Sequence, residues 1–212
     1  MSNLAAFEQA FTRCPLIAIL RGVRPDEVAT IGEALVGEGF TLIEVPLNSP
    51  DPFVSIARLA QALEGHAMIG AGTVLTPQEA RQVGEAGGGM VISPNADRQV
   101  IAATCEAGLV SLPGIATPSE AFAALQAGAH ALKLFPAEGS SPKVLKAMRA
   151  VLPHATRVLP VGGISPDGMT PWLDAGATGF GLGSALYRAG DSASAVAMRA
   201  RNFLDSWSAL RG

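Results

Sequence analysis

Three lysines occur in the 212-residue chain, and Lys133 differs from the other two in its surroundings. Lys143 and Lys146 fall in a polar stretch with helical spacing, whereas Lys133 lies in the apolar run His130-Ala131-Leu132-Lys133-Leu134-Phe135-Pro136. That run is entered from Ala-Gly-Ala at 127–129 and stopped by proline, so it reads as a strand. Side chains alternate along a strand, which puts Ala131, Lys133 and Phe135 on one face and Leu132 and Leu134 on the other. An amine held there loses hydration, which favours its neutral, nucleophilic form. The ordinary alternative is a stem packed on apolar neighbours with its ammonium reaching water.

Glu44 poses the same question with the opposite charge. It lies in Leu42-Ile43-Glu44-Val45, and a carboxylate inside a strand is costly unless it is paired or functional. It is either half of an ion pair with Arg21 or Lys133, or a general acid/base beside an amine nucleophile. Two glycine-rich segments, Val161-Gly162-Gly163 and Gly181-Leu182-Gly183-Ser184, could present backbone N–H groups to an anion. A lone Gly-Gly is more often a turn; two such loops after consecutive strands carry more weight. Ser165-Pro166-Asp167 reads as the start of the next helix and suits the same anion site.

The elements that must position these residues repeat one pattern. Glycine at 39, 87, 108, 128 and 176 sits where a helix ends and a strand begins. The strands read at 16–20, 42–47, 68–74, 90–93, 110–112, 130–136, 158–161 and after the junction at 175–177. Pro25-Asp26-Glu27, Pro77-Gln78-Glu79, Pro118-Ser119-Glu120 and Pro166-Asp167 read as helix starts. Eight strand–helix units in this length predict a (β/α)8 TIM barrel of the α/β class, with an open doubly wound sheet as the alternative. One barrel domain spans 15–212, and residues 1–14 form a helix capping its N-terminal end. The active site of such a barrel lies at the C-terminal strand ends, where Arg21, Glu44 and Lys133 contribute almost all the charge.

Composition narrows the classes further. With 49% hydrophobic and 16% charged residues the chain can bury a substantial core. A net charge of −3 gives no electrostatic reason to expect nucleic acid, and no apolar run reaches the ~18 residues of a membrane span. Cys14 and Cys105 suggest neither a disulfide framework nor a metal site, and His66, His130 and His154 read as surface or loop residues. A cytoplasmic enzyme without metal or cofactor is the expectation.

From Pro15 to Phe203 the chain resembles the class I 2-keto-3-deoxy-6-phosphogluconate and 4-hydroxy-2-oxoglutarate aldolases. The resemblance is carried by Ile-Glu-Val at 43–45, Ile-Gly-Ala-Gly-Thr-Val-Leu at 69–75, Ile-Ser-Pro-Asn at 92–95, Lys-Leu-Phe-Pro-Ala-Glu at 133–138 and Gly-Gly-Ile-Ser-Pro at 162–166. It implies a metal-free barrel, usually a homotrimer, acting on a phosphorylated 2-keto-3-deoxy sugar acid with pyruvate as a product. Lys133 would be the Schiff-base lysine and Glu44 the general acid/base. Arg21 and Thr73 would contact substrate, Phe135 would pack beside the pyruvyl group, and Gly162, Gly163 and Ser184 would hold phosphate. Pro46-Leu47-Asn48 and Val161 depart from the Thr-Leu-Arg and threonine of the gluconate-type pattern and look like the galactonate branch. The two substrates differ in configuration at C4, so Val161, which removes a hydroxyl near that carbon, would bear on stereopreference. A neighbouring specificity, on the gluconate epimer or 4-hydroxy-2-oxoglutarate, and a non-catalytic sugar-phosphate-binding barrel remain as alternatives.

Overall fold

The computed structural model describes residues 1–210. Helix α1 (Asn3–Arg13) precedes strand β1 (Leu16–Ile19), and α2 (Val28–Glu38) leads to β2 (Leu42–Pro46). The alternation continues through α3 (Pro52–Ala62), β3 (Met68–Gly72), α4 (Pro77–Glu85), β4 (Met90–Ile92) and α5 (Arg98–Glu106). Then follow β5 (Val110–Leu112), β6 (Gly114–Ile115), α6 (Pro118–Gln126), β7 (Leu132–Leu134) and α7 (Pro142–Arg149). The chain ends with β8 (Val158–Pro160), α8 (Thr170–Asp174), β9 (Phe180–Leu182) and α9 (Ala193–Ala209).

Local chemistry explains these boundaries. Thr76 with Glu79 and Thr117 with Glu120 form capping boxes at the starts of α4 and α6, each followed by proline at the first helical position. At the end of α2, Gly39 turns left-handed at φ 117°, and its N–H reaches the carbonyls of Leu35 and Val36. The junction glycines at 87, 108, 128 and 176 also have positive φ. Pro25-Asp26-Glu27 forms a turn, so α2 begins only at Val28.

The anticipated helix at Ser165-Pro166-Asp167 is only a 3₁₀ turn over Pro166–Gly168, followed by the five-residue α8. Pro171 has no N–H to donate back to the turn, so a continuous helix cannot run through it. The helix that follows the 162–163 loop is therefore only five residues long. Strands also stop earlier than anticipated. β3 ends at Gly72 because Thr73 adopts φ 58°, and β7 spans only three residues, leaving Phe135 just past its end.

All strand pairs are parallel, in a six-stranded sheet ordered β5-β4-β3-β2-β1-β9 and a three-stranded sheet ordered β6-β7-β8. Pro113 separates β5 from β6, and the N–H groups of His130, Lys133 and Phe135 donate to the carbonyls of Ser111, Pro113 and Ile115. At the other seam Val161 bridges Gly181 in parallel.

Strand alternation sorts the core into two layers. Ile43, Val45, Leu132 and Leu134 face the helices. Leu42, Met68, Met90, Val110, Ala131 and Leu159 form an inner cluster with Phe7, Ala10 and Phe11 of α1. Glu44 and Lys133 share the parity of Leu42 and Ala131, one step further towards the C-terminal strand ends. No helix among the described residues is long and apolar enough to cross a membrane.

Candidate active site

Glu44 and Lys133 are the only buried side chains of charged type among the described residues, 1% and 6% exposed. They line the same small void with Ile17, Ile19, Ile92, Leu112, Leu159, Val161 and Gly181. Burial pushes the Glu44 carboxyl up to about 7, against the opposing pull of Lys133 and then Arg21. Burial also lowers the Lys133 pKa; the Glu44 charge opposes the shift, and the Arg21 guanidinium assists it. Neither cation comes within 4.0 Å of the carboxylate, so the ion-pair reading of Glu44 is not what the structure shows. Glu44 Oε2 has no hydrogen-bond partner among the described residues. A buried, unpartnered acceptor is costly, and catalytic groups are where such a cost is retained.

The neighbouring strand makes room for this carboxylate. In the β2–β3 register Glu44 stands opposite Gly70, and a Cβ on Gly72 would collide with the Glu44 carboxyl. Lys133 Nζ sits 4.6 Å from the centroid of the Phe135 ring, which lies two residues on along the same face.

Above Lys133 a cleft of about 160 Å³ opens at the C-terminal strand ends. Of the residues anticipated from sequence, Arg21, Lys133, Phe135, Val161, Gly162, Gly163 and Ser184 line it. Thr73 does not; it is half-buried at the left-handed turn after β3. Gly162 and Gly163 have φ of 112° and 64°, and their N–H groups have no acceptor among the described residues. Arg21 is exposed and held by a 2.7 Å hydrogen bond to Asn48 Oδ1. Alongside it, the Gly22 N–H donates to Ser49 Oγ at 2.9 Å. Asn48 and Ser49 thus tie the loop after β2 to the loop after β1.

The arrangement is a buried amine, a buried carboxyl of raised pKa, a guanidinium at the mouth and free N–H donors at one wall. A model of the family described as KDPG and KHG aldolase matches residues 7–197. The chain belongs to that family.

A curated aldolase relative from Escherichia coli strain K12, named 2-dehydro-3-deoxy-6-phosphogalactonate aldolase, is 44% identical over 196 residues, 92% of this chain and 96% of the relative. A solved aldolase structure described as native KDPGal superposes with a TM-score of 0.92 at 43% identity, covering 94% of this chain and 97% of that one. The KDPG aldolase of Legionella pneumophila, solved with pyruvate captured as a covalent carbinolamine, gives a TM-score of 0.78 at 26% identity, covering 95% and 96%.

Within this aldolase two cleft features escaped the sequence reading. Glu138, in the 3₁₀ turn Ala137–Gly139 after β7, lines the cleft with Lys133 and Gly162. Its signal was visible as a charge five residues past the lysine, but a charge on a loop reads as solvated until the loop is placed. The Arg21–Asn48 contact joins residues 27 apart and had no local signature. His130 lies in the loop that enters β7, as anticipated; it is half-buried there, and its Nδ1 accepts from the Ser111 N–H at 3.1 Å. It precedes β7 and so lies towards the N-terminal strand ends, away from the cleft. No group of three or more His, Cys, Asp or Glu among the described residues is disposed to hold a metal ion.

Proposed function

We propose that this KDPG and KHG aldolase family member is a class I aldolase cleaving 2-dehydro-3-deoxy-6-phosphogalactonate to pyruvate and D-glyceraldehyde 3-phosphate. The observation that carries the reading is one buried pair. Lys133, shifted towards its neutral amine, shares an apolar void with Glu44, whose carboxyl titrates at about 7.

The Lys133 amine attacks the C2 ketone to give a carbinolamine, which loses water to form a protonated imine. Glu44 takes the C4 hydroxyl proton, the C3–C4 bond breaks, and its electron pair moves into the imine to give an enamine. Glyceraldehyde 3-phosphate leaves. Protonation of the enamine at C3 and hydrolysis release pyruvate and restore the amine. A carboxyl near pH 7 can accept the first proton and return the second.

Arg21 orients the carboxylate end of the substrate, Phe135 packs beside the pyruvyl group, and Gly162, Gly163 and Ser184 receive the phosphate. Val161, buried at the end of β8, presents methyl groups beside C4 where a threonine would offer a hydroxyl. This apolar contact and the similarity to a galactonate-named relative support that epimer. The two parallel sheets read as one (β/α)8 barrel, with Pro113 and the Val161–Gly181 bridge as its seams, and the assembly as a homotrimer. A charged sugar phosphate does not cross membranes unaided, which favours a cytoplasmic location.

Incubation with pyruvate and sodium borohydride, followed by peptide mass spectrometry, tests the mechanism. A pyruvyl adduct on Lys133 is the expected result, and an adduct on Lys143 or Lys146, or none, overturns it. Cleavage rates on the galactonate and gluconate epimers then test the substrate, with the galactonate epimer faster.

A further inference from the structure

The wall that offers N–H donors also carries a negative charge. Glu138 extends from the 3₁₀ turn after β7, a turn anchored just past β8 by the Ala137 N–H donating to the Val161 carbonyl at 2.9 Å. Its side chain lies directly across Gly162 and Gly163: a Cβ on Gly162 would collide with Oε2, and one on Gly163 would sit 2.7 Å from Cγ. Both glycines are therefore demanded by this carboxylate as well as by their positive φ. Among the described residues Glu138 has no ion-pair or hydrogen-bond partner, and it is solvent-exposed. Nothing neutralises it on the spot.

We infer that Glu138 is a charge filter for the distal end of the substrate, occupying in the free protein the ground above Gly162–Gly163 that a phosphate must take. The inference rests on the phosphate reading of that loop given above. A phosphate entering there must displace the carboxylate into solvent or bind beside it, and like charges a few ångströms apart oppose binding. For unit charges 4 Å apart in water the penalty is about five-fold in affinity, rising with the charge on phosphate. The filter thus acts against anionic tails in proportion to their charge and leaves neutral tails untouched. It makes the affinity for a phosphorylated substrate lower than the donors alone would set, and narrows its advantage over an unphosphorylated one.

Titration calorimetry of inorganic phosphate into the full-length wild type and the Glu138→Gln variant decides it without reference to turnover. The variant is expected to bind phosphate three- to ten-fold more tightly, and the difference should shrink in high neutral salt, which a purely structural effect would not do. Equal affinity, weaker binding by the variant, or no phosphate binding by either protein overturns the inference. A raised KM for phosphorylated substrate in Glu138→Gln would instead make the carboxylate a partner for a substrate hydroxyl, and equally overturns it. If the wild type gives no pyruvyl adduct, the aldolase reading fails separately, while the phosphate titration still decides Glu138.

Discussion

At the scale of single residues, the proposed chemistry depends on Lys133 and Glu44, two groups whose charged forms burial disfavours. Glu44→Gln keeps the shape and removes the proton relay. Turnover should fall by about 10²–10⁴, while the borohydride-trapped pyruvyl adduct on Lys133 persists. Loss of the adduct would show that Glu44 serves imine formation as well. The same carboxyl ties stability to pH. Its folded pKa, about 7, lies above the unfolded value of 4.5, so the folded state holds the proton more tightly. That contribution is full below pH 4.5 and is lost as pH rises through 7, by roughly 3 kcal/mol at most. Urea unfolding midpoints should decline over this window in the wild type and stay flatter in Glu44→Gln. Gly72 is the steric complement: Gly72→Ala places a methyl where the carboxyl lies, costing about 1–3 kcal/mol and displacing Glu44. Urea unfolding should register that loss, and a pH–rate profile should shift as the carboxyl finds a new environment.

Elements hold these residues in place through short, local devices. The capping boxes of α4 and α6 each satisfy helix-start N–H groups with two side chains, none of which lines the cleft. Thr76→Ala and Thr117→Ala should each cost about 1 kcal/mol in urea unfolding and leave pyruvate trapping unaltered. Such boxes are legible in a sequence because their partners lie three residues apart. Strand parity is legible for the same reason, and it put Lys133 on one face with Ala131; the packed chain made that face the inward one. The ends of elements were less legible. Whether Thr73 extends β3 or turns left-handed, and whether Pro166 opens a helix or one 3₁₀ turn, depends on what the chain meets next.

At the scale of the whole molecule, α1 is part of the interior. Phe7 and Phe11 pack among the inner faces of the strands, and Arg157 lies over both rings, 5.9 and 4.7 Å from their centroids. Arg157 also forms an ion pair with Glu8, fixing the helix to the segment before β8. Phe7 is fully buried, so Phe7→Ala should cost about 3–5 kcal/mol by chemical denaturation, with the folded fraction still trapping pyruvate. A cost near zero would mean that α1 only rests against the strands. The proposed homotrimer belongs to this scale too, and sedimentation equilibrium should return three times the chain mass.

Periodicity, junction glycines and the isolation of one lysine among apolar residues were enough to determine strands alternating with helices and to single out Lys133 and Glu44 as candidates. Those properties are local, since alternation and capping act over two to four residues. The tertiary structure decided which loops meet. It set Glu138 across Gly162 and Gly163, bound Arg21 to Asn48, left Thr73 outside the cleft lining, and gave Glu44 its raised pKa by closing apolar strands around it. Contact across the interior and loss of water depend on the whole packed chain, and no short stretch of sequence contains them.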